Sequence, residues 1–443
     1  MPCINNTWFK RQPKISINLI NQKENHTTAY TTLDRIEGEA TVTADYDTDF
    51  SHVEITFEGT ARVYTQRTGP PHAAPELETK QTFLRIRQHI DESVYSSPQV
   101  LRRGQKYTFP FSFIVPDRLN HQSCEHGDDE NARQRHTQLP PTLQTSKFIS
   151  RCKYPVDDMT PTACRVSYGV KVAVLKRSSK EMLVNRTKKI RLIPAYEEET
   201  PYTACGDIEK CSWRRIKDIQ YGMMRDKLGQ LIVTAFQPKP LRLSAPECKI
   251  SETGNSSAVA HIRFNPVGDE TPPCLGTLYS KLRVSTSYSC NPWTDSPSHS
   301  MMGYPQTGTR VFAKSLPLSS LCVESVQWTK HTVEDSLIDD YDQVAASETA
   351  TKNSTAGIFY TASLVVPITL PQTKAFVPTF ESCMISRGYA LELRLSYHSS
   401  NTFLPSWVEV KVPVQIVSAG GTTHEPLLPP YTPSAESPDK LII

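Results

Sequence analysis

Residues 107–115 read YTFPFSFIV, and this stretch decides the fold class of the 443-residue chain. Apolar side chains recur at every second position, which places Phe109, Phe111, Phe113 and Val115 on one side of an extended strand. A strand with one apolar face must cover that face with another apolar layer. The stretch therefore predicts one strand of a packed pair of β-sheets.

Further runs with strand character lie on both sides of this stretch, at spacings near ten residues. They are residues 15–19, 53–57, 61–64, 82–86, 164–174 and 188–193, then 231–235, 258–264, 281–288, 358–368, 389–397 and 407–417. The chain has 34 prolines against 18 glycines, and prolines at this density interrupt helices. No amphipathic helical pattern continues beyond about ten residues. These features predict an all-β chain of antiparallel sandwiches.

The length of the chain predicts two sandwich lobes of about 200 residues each. The strand runs place the first lobe at residues 1–195 and the second at 227–418. Residues 196–226 interrupt the strand pattern, so we expect a connector there. Residues 419–443 are rich in Pro, Gly, Ser and Thr, and we expect a disordered tail.

Charge and cysteine usage narrow the classes of function. The formal net charge is +3, from 49 basic and 46 acidic residues, which argues against a nucleic-acid-binding protein. The eleven cysteines are scattered without a repeating frame, and the first 14 residues lack the apolar segment of a secretory signal. No apolar run reaches the roughly 18 residues of a membrane span. We expect a cytoplasmic protein with reduced thiols.

Histidines and cysteines near a polar insert at residues 119–138 are the candidates for enzyme chemistry. They are His121, Cys124, His126, His136, Cys152 and Cys164. His121 and Cys124 fit a metal-ligand spacing loosely, and nothing supplies a matching second pair. An insert expected to be a mobile loop would not hold a base within hydrogen-bonding reach of a nucleophile. We therefore predict no catalytic residue, no metal and no cofactor, with a hydrolase or metal enzyme using these residues as the alternative.

Basic clusters offer a second kind of contact. Residues 188–191 read KKIR, and the pairs Lys176-Arg177 and Arg214-Arg215 lie elsewhere in the chain. Such clusters can meet anionic phospholipid or a phosphorylated tail, with about 1 kcal/mol for each basic residue near an anionic surface. The alternative is that they are solvated charges at strand ends.

The tail contains a candidate binding motif, Leu428-Pro429-Pro430-Tyr431. Adjacent prolines fix φ near −65°, so the segment is already close to polyproline II and loses little entropy on binding. WW domains clamp such prolines between aromatic rings and receive the tyrosine that follows. The motif predicts binding to a WW domain.

Two further residues of the tail precede prolines and suggest regulation. Thr432 and Ser437 each precede a proline, the sequence context that a proline-directed kinase recognises, so we expect them to be candidate phosphorylation sites. A phosphate on Thr432 would add roughly −1.5 to −2 charges beside the tyrosine. We predict that it weakens binding to the WW domain.

The order of several motifs resembles one family. Residues 107–116 (YTFPFSFIVP) precede 139–143 (LPPTL) and 166–170 (VSYGV), while 380–391 (FESCMISRGYAL) and 412–416 (VPVQI) lie near the end. This arrangement resembles the α-arrestins, or arrestin-related trafficking adaptors. The resemblance implies two arrestin-type sandwiches of about seven strands each, joined by a short hinge.

The same resemblance implies a function. Proteins of this type link a HECT-type ubiquitin ligase, through its WW domains, to the cytosolic segments of membrane transporters or receptors. Such a protein would be cytoplasmic, recruited to the plasma membrane or endosomes, and would promote ubiquitination and endocytosis. The alternative is an arrestin-fold scaffold in signalling or vesicle sorting that needs no ligase.

Overall fold

The computed structural model describes thirteen segments of the chain, and every structural statement below concerns them. They are residues 12–20, 29–65, 77–90, 99–120, 130–143, 157–177, 181–195, 212–221, 226–243, 256–293, 308–332, 357–398 and 405–418. Within them almost all regular structure is β-strand, so the prediction of an all-β chain is confirmed. These segments contain no helix with the length and apolar composition that a membrane crossing requires.

The first lobe, described up to residue 195, contains ten strands. They are β1 (Lys14–Leu19), β2 (Ala29–Tyr30), β3 (Arg35–Thr43), β4 (Thr48–Asp49), β5 (Val53–Thr65), β6 (Leu77–Gln88), β7 (Val100–Leu101), β8 (Lys106–Ile114), β9 (Cys164–Leu175) and β10 (Met182–Leu192). A three-stranded sheet has the order β1-β3-β8, and a five-stranded sheet has the order β2-β10-β9-β5-β6. β4 and β7 form a separate pair.

The alternation of apolar and polar residues in the stretch 107–115 is present in β8. Phe109, Phe111, Phe113 and Val115 are all buried, while the residues between them are exposed. β8 pairs antiparallel with β3, and its phenylalanines pack with Phe57 of β5 in the facing sheet, where the rings of Phe57 and Phe113 are 6.0 Å apart. The two sheets therefore enclose one core, as the one-sided apolar pattern predicted.

β5 is longer than its sequence suggested. The runs on either side of Gly59 were expected as separate strands, yet they form one strand with a shift in its pairing to β6 between Gly59 and Thr60. A Cβ at Gly59 would lie 2.5 Å from the ring of Phe83 and 2.9 Å from that of Tyr168. The glycine therefore allows two rings to approach the strand closely rather than ending it.

The turn at residues 139–143 joins the insert to the sheet. The hydroxyl of Tyr168 donates a 2.6 Å hydrogen bond to the carbonyl of Pro140, and the backbone N–H of Leu192 donates to Oγ1 of Thr142. These bonds hold the turn against β9 and β10.

The polar insert contains regular structure that the sequence analysis did not predict. Residues Glu130–His136 form a short helix, α1, with an acidic residue in its first turn and basic residues in its last. His136 is buried. We expected residues 119–138 to be a mobile loop. That expectation was wrong for residues 130–136, because Arg135 and His136 at the end of α1 contact Glu381 of the second lobe.

The second lobe begins within the predicted connector. Its strands are β11 (Ser212–Tyr221), β12 (Asp226–Phe236), β13 (Leu241–Leu243), β14 (Ser256–Pro266), β15 (Cys274–Tyr288), β16 (Arg310–Cys322), β17 (Thr329–Thr332), β18 (Ile358–Ile368), β19 (Phe380–Glu381), β20 (Ile385–His398), β21 (Ser406–Val414) and β22 (Ile416–Ser418). β11 pairs with β12 over its whole length, so residues 212–221 are an edge strand of this lobe rather than linker.

Two five-stranded sheets form the second sandwich. One has the order β11-β12-β14-β18-β17, and the other contains β16-β15-β20-β19 with β21 paired to β20. β13 and β22 form a parallel pair. Leu231, Ile262, Leu282, Leu364 and Leu391 are among the residues that fill the core between the sheets.

Candidate functional site

The tail motif lies outside the described residues. Leu428, Pro429, Pro430 and Tyr431, with Thr432 and Ser437, all follow Ser418, the last residue of β22. β22 is itself fixed, because it pairs with β13 from Leu241↔Ile416 onward. The last described strand therefore ends ten positions before the motif begins.

The candidate enzyme residues do not form a described site. His121, Cys124, His126 and Cys152 lie outside the described residues, whereas Cys164 is buried in β9. Burial raises the pKa of the Cys164 thiol to about 12, so it stays protonated and is a poor nucleophile. In the described segments no three His, Cys, Asp or Glu side chains come close enough to hold a metal ion.

The most elaborate polar arrangement of the described residues lies between the two lobes. Residues 157–160 of the first lobe reach the second, where Asp157 forms an isolated parallel bridge with Lys374 and accepts a backbone hydrogen bond from Ala375. Met159 is 2% exposed and belongs to the core of the second lobe. Its φ is +58°, a left-handed conformation that costs a non-glycine residue about 1–2 kcal/mol.

Asp157, one of the two acidic residues of this segment, forms ion pairs with the second lobe. Its Oδ2 lies 2.9 Å from Nζ of Lys314 and 3.0 Å from Nζ of Lys374, both in the second lobe. The hydrogen bond from Lys314 is the main cause that lowers the pKa of Asp157 far below its usual range, and the bonds from Lys374 and from the N–H of Met159 act in the same direction. The carboxylate stays ionised at neutral pH and bridges two lysines.

Arg387 of β20 makes the complementary contact from the second lobe. It is 1% exposed, and it donates hydrogen bonds to the carbonyl of Asp158 at 3.0 Å and to Oγ1 of Thr160 at 2.8 Å. A buried guanidinium is costly to desolvate and is retained where it makes several hydrogen bonds. Beside it, the hydroxyl of Tyr389 donates to the carbonyl of Val377, and burial raises the pKa of that tyrosine.

A third polar contact joins α1 to β19. Glu381 is buried. Its Oε2 atom lies 3.5 Å from Nε of Arg135, and its Oε1 atom lies 3.7 Å from Nε2 of His136. Both partners lie on the last turn of α1. The contact explains why a short polar helix is ordered within the insert, since a helix this short has little stability of its own.

The apolar part of the interface completes the first core. Cys290, Val377, Phe380, Met384 and Ile385 belong to the second lobe by sequence, yet they pack within the core cluster of the first. The thiol of Cys290 lies 3.8 Å from the carbonyl of Val63. Each lobe thus contributes residues to the core of the other, and we call this arrangement the reciprocal interface.

The clusters at residues 188–191 and 214–215 lie on β10 and β11, whereas Lys176 and Arg177 follow the end of β9. Lys176 pairs with Glu181 at 3.0 Å. On β10, next to the 188–191 cluster, Arg186 donates a hydrogen bond to the carbonyl of Ile15. Arg214 and Arg215 are adjacent on the edge strand β11, where Arg215 is exposed and Arg214 is half-buried. The Nε and Nη2 atoms of Arg214 are buried.

The residues of the reciprocal interface were not identified from the sequence. Glu381 and Arg387 were quoted only within a motif, although each interrupts an otherwise apolar or small-residue run. A charged residue inside a buried strand pattern is the signal that could have identified them. Asp157 and Asp158 carry no comparable signal, because they lie in a loop.

Comparison with known proteins identifies a family that matches the first lobe. Residues 19–197 match the family described as "Arrestin (or S-antigen), N-terminal domain". No curated protein matches the chain in sequence. The matched segment spans the first lobe, with its two facing sheets, and a second antiparallel sandwich follows it. The prediction of arrestin-type β-sandwiches is confirmed, and the chain is an arrestin-fold protein.

Proposed function

We propose that this chain is an adaptor of the α-arrestin type, which links a HECT-type ubiquitin ligase to cargo at a membrane. In this proposal Leu428-Pro429-Pro430-Tyr431 binds a WW domain of the ligase, while the two lobes engage cytosolic segments of a transporter or receptor. Ubiquitination and endocytosis of the cargo follow. The protein would act in the cytoplasm and be recruited to the plasma membrane or endosomes, where anionic phospholipid can add to the contact.

The observation that carries the proposal is the position of the motif relative to the arrestin-type body. Leu428 follows the fixed end of β22 by ten residues, a length that spans at most about 36 Å when extended. A ligase bound there is held close to whatever the lobes bind. Tethering of this kind raises the effective concentration of one partner around the other to about the millimolar range for short linkers.

The arrangement of the lobes supports a binding role more than an enzymatic one. The polar contacts between the lobes join residues of the body to one another, and the one candidate nucleophile placed within the described residues, Cys164, is buried and protonated. Binding of a partner by exposed sheet surfaces and loops requires none of these groups to react.

A pull-down from cell lysate tests the proposal. The full chain, its Tyr431→Ala variant and a Tyr46→Ala control would be compared, because Tyr46 is an exposed tyrosine of the first lobe. We expect a HECT-type ligase with the wild type and the control, and its loss from Tyr431→Ala. Retention of the ligase by Tyr431→Ala would contradict the role of the motif.

The same pull-down distinguishes the proposed adaptor from a second candidate, an arrestin-fold scaffold that needs no ligase. A scaffold in signalling or vesicle sorting would recover the same partners with and without Tyr431, and no ligase among them. The arrestin fold alone is compatible with both functions, so the dependence on Tyr431 decides between them.

A further inference from the structure

The sheet of the second lobe that contains β15, β20 and β21 has two aromatic residues on its outer face. Leu278 of β15 and Val408 of β21 belong to the second core. Tyr279 and Trp407 are their direct neighbours along these strands. Because side chains alternate along a strand, Tyr279 and Trp407 point away from the core. Tyr279 is 41% exposed.

The two rings and one arginine form a single surface, which we call the aromatic platform. The ring centres of Tyr279 and Trp407 are 5.8 Å apart, and the guanidinium carbon of Arg394 lies 4.4 Å from the centre of the Trp407 ring. Arg394 is exposed and lies opposite Tyr279 in the sheet. The contacts fix the rings before any ligand arrives, which lowers the entropy cost of binding.

The composition of the platform indicates the kind of ligand that it would bind. Tyr, Trp and Arg are the residue types that supply most of the binding energy at protein interfaces. Neighbouring aromatic rings on a surface are also the feature that binds proline-rich segments, because a polyproline II helix is already formed and loses little entropy. The platform therefore fits a proline-rich segment.

The chain itself contains such a segment after its last described strand. Five of the thirteen residues 426–438 are prolines, and we call this stretch the proline-rich segment. It contains the motif Leu428-Pro429-Pro430-Tyr431.

The length of the intervening chain allows the segment to reach the platform. Trp407 precedes Ser418, the end of β22, by eleven residues, and Pro429 follows Ser418 by eleven. At the rise of a β-strand, Trp407 lies no more than about 36 Å from Ser418. Eleven extended residues span up to about 40 Å, so Pro429 and the prolines after it can reach Trp407.

The charges of the two partners are complementary. On β15, β20 and β21 the outer face near the platform presents four basic and two acidic side chains, namely Lys281, Arg283, Arg394 and Lys411 with Glu392 and Glu409. Residues 419–443 carry three acidic side chains and one basic side chain. The net charges are therefore opposite in sign, which favours contact between them.

We propose that the aromatic platform binds the proline-rich segment of the same chain and holds the motif against the second lobe. The prolines pack on the rings of Tyr279 and Trp407, and the acidic residues beside them face Arg394 and Lys281. This contact goes beyond the proposed function, because it needs no ligase. A WW domain would compete with the platform for the same prolines.

Competition between an added and an attached segment tests the proposal. The probe is a fluorescein-labelled peptide with the sequence of residues 424–438, and its anisotropy is followed with two forms of the full chain. One is the wild type, and the other carries Pro429→Ala, Pro430→Ala and Pro433→Ala together. A short tether gives the attached segment an effective concentration of about 1 mM. If the free platform binds the peptide with a Kd of about 0.1 mM, the variant should bind it about tenfold more tightly than the wild type. Equal binding to both forms would overturn the proposal.

Replacements on the platform locate the binding site. In the form with the three alanines, Tyr279→Ala and Trp407→Ala should each weaken peptide binding by at least about tenfold. Tyr46→Ala is the matched control, because Tyr46 is an exposed tyrosine of the first lobe, and it should change binding by less than about twofold. Unchanged binding in both platform variants would overturn the proposal.

A second peptide separates packing of prolines from attraction between charges. It contains alanine in place of the same three prolines and keeps every charged residue. We expect at least about tenfold weaker binding of this peptide. Equal binding of both peptides would show charge attraction alone and overturn the proposal.

Proteolysis measures the contact in a chain whose proline-rich segment is unaltered. Chymotrypsin cleaves after Tyr431 when that residue is accessible, and mass spectrometry follows the loss of the fragment. Tyr279→Ala should speed this cleavage severalfold relative to the wild type, whereas Tyr46→Ala should leave it unchanged. The same rate in Tyr279→Ala and in the wild type would overturn the proposal.

These outcomes are separable from those of the proposed function, since neither assay contains a ligase. Recovery of the ligase in the pull-down with no effect of the platform variants would reject the intramolecular contact alone. Binding of the peptide to the platform with no ligase recovered would reject the proposed recruitment of a ligase alone.

Discussion

Replacing Met159 by alanine should destabilise the second lobe, although the residue precedes β9 and β10 of the first lobe in sequence. Met159 is 2% exposed within the second core, and truncation of a buried methionine to alanine costs about 2–5 kcal/mol. For a unit of about 200 residues this lowers the thermal midpoint by roughly 4–20 °C. Met182→Ala is the matched control, because Met182 lies on β10 and is 48% exposed.

A glycine variant at the same position tests the backbone conformation. At φ +58° alanine carries a strain of about 1–2 kcal/mol, which glycine avoids. Glycine loses about 0.5–1 kcal/mol through the greater entropy of its unfolded chain. Met159→Gly should therefore be as stable as Met159→Ala, or more stable by up to about 1.5 kcal/mol.

Differential scanning calorimetry on the full chain measures both effects. A change of less than about 1 kcal/mol for Met159→Ala would show that the side chain does not fill the second core. A glycine variant clearly less stable than the alanine variant would refute the left-handed conformation. Met182→Ala should leave the midpoint nearly unchanged in either case.

Two further predictions concern ionisation at and near the lobe contact. Because the folded-state pKa of Asp157 is lowered, its carboxylate stabilises the fold at pH values above the unfolded pKa of about 3.9, and this stabilisation is lost as the pH falls through the folded pKa. Urea unfolding should therefore find wild type more stable than Asp157→Asn at pH 7, with a difference that shrinks below about pH 4. A difference that stays constant with pH would contradict the ion pairs with the two lysines. Burial and the raised pKa of Cys164 should make its alkylation by iodoacetamide in the native protein much slower than that of the exposed Cys274 and Cys322. Mass spectrometry of tryptic peptides measures the three rates, and a Cys164 as reactive as the other two would show an accessible thiol.

Local patterns predicted the strands that are half buried. The alternation in residues 107–115 gave the buried face of β8, and that in residues 15–19 gave the buried face of β1. Such patterns succeed because a period of two reports directly which side of a strand faces the core. Gly59 was interpreted as the end of a strand, because a glycine that ends a strand and a glycine that makes room for an aromatic ring look alike in sequence.

Features that depend on distant partners were beyond these patterns. α1 has no apolar periodicity, and it is ordered through Glu381, about 245 positions from its last turn. β11 is short of aliphatic residues and lies in a stretch that resembled a linker, but pairing with β12 along its length makes it a strand. Arg214 was noted only as part of a basic pair, because nothing in the sequence distinguishes a shielded arginine from the exposed Arg215 beside it.

The reciprocal interface bears on how a gene for this protein can change. The family match ends at residue 197, which suggests a module that could be copied or exchanged by itself. Yet Phe380 and Ile385 complete the core of the first half, and Met159 completes that of the second. A recombination event between the codons for residues 195 and 212 would separate each half from residues that its own core requires. Selection for folding therefore acts on both halves together, since a change in one half alters the core of the other.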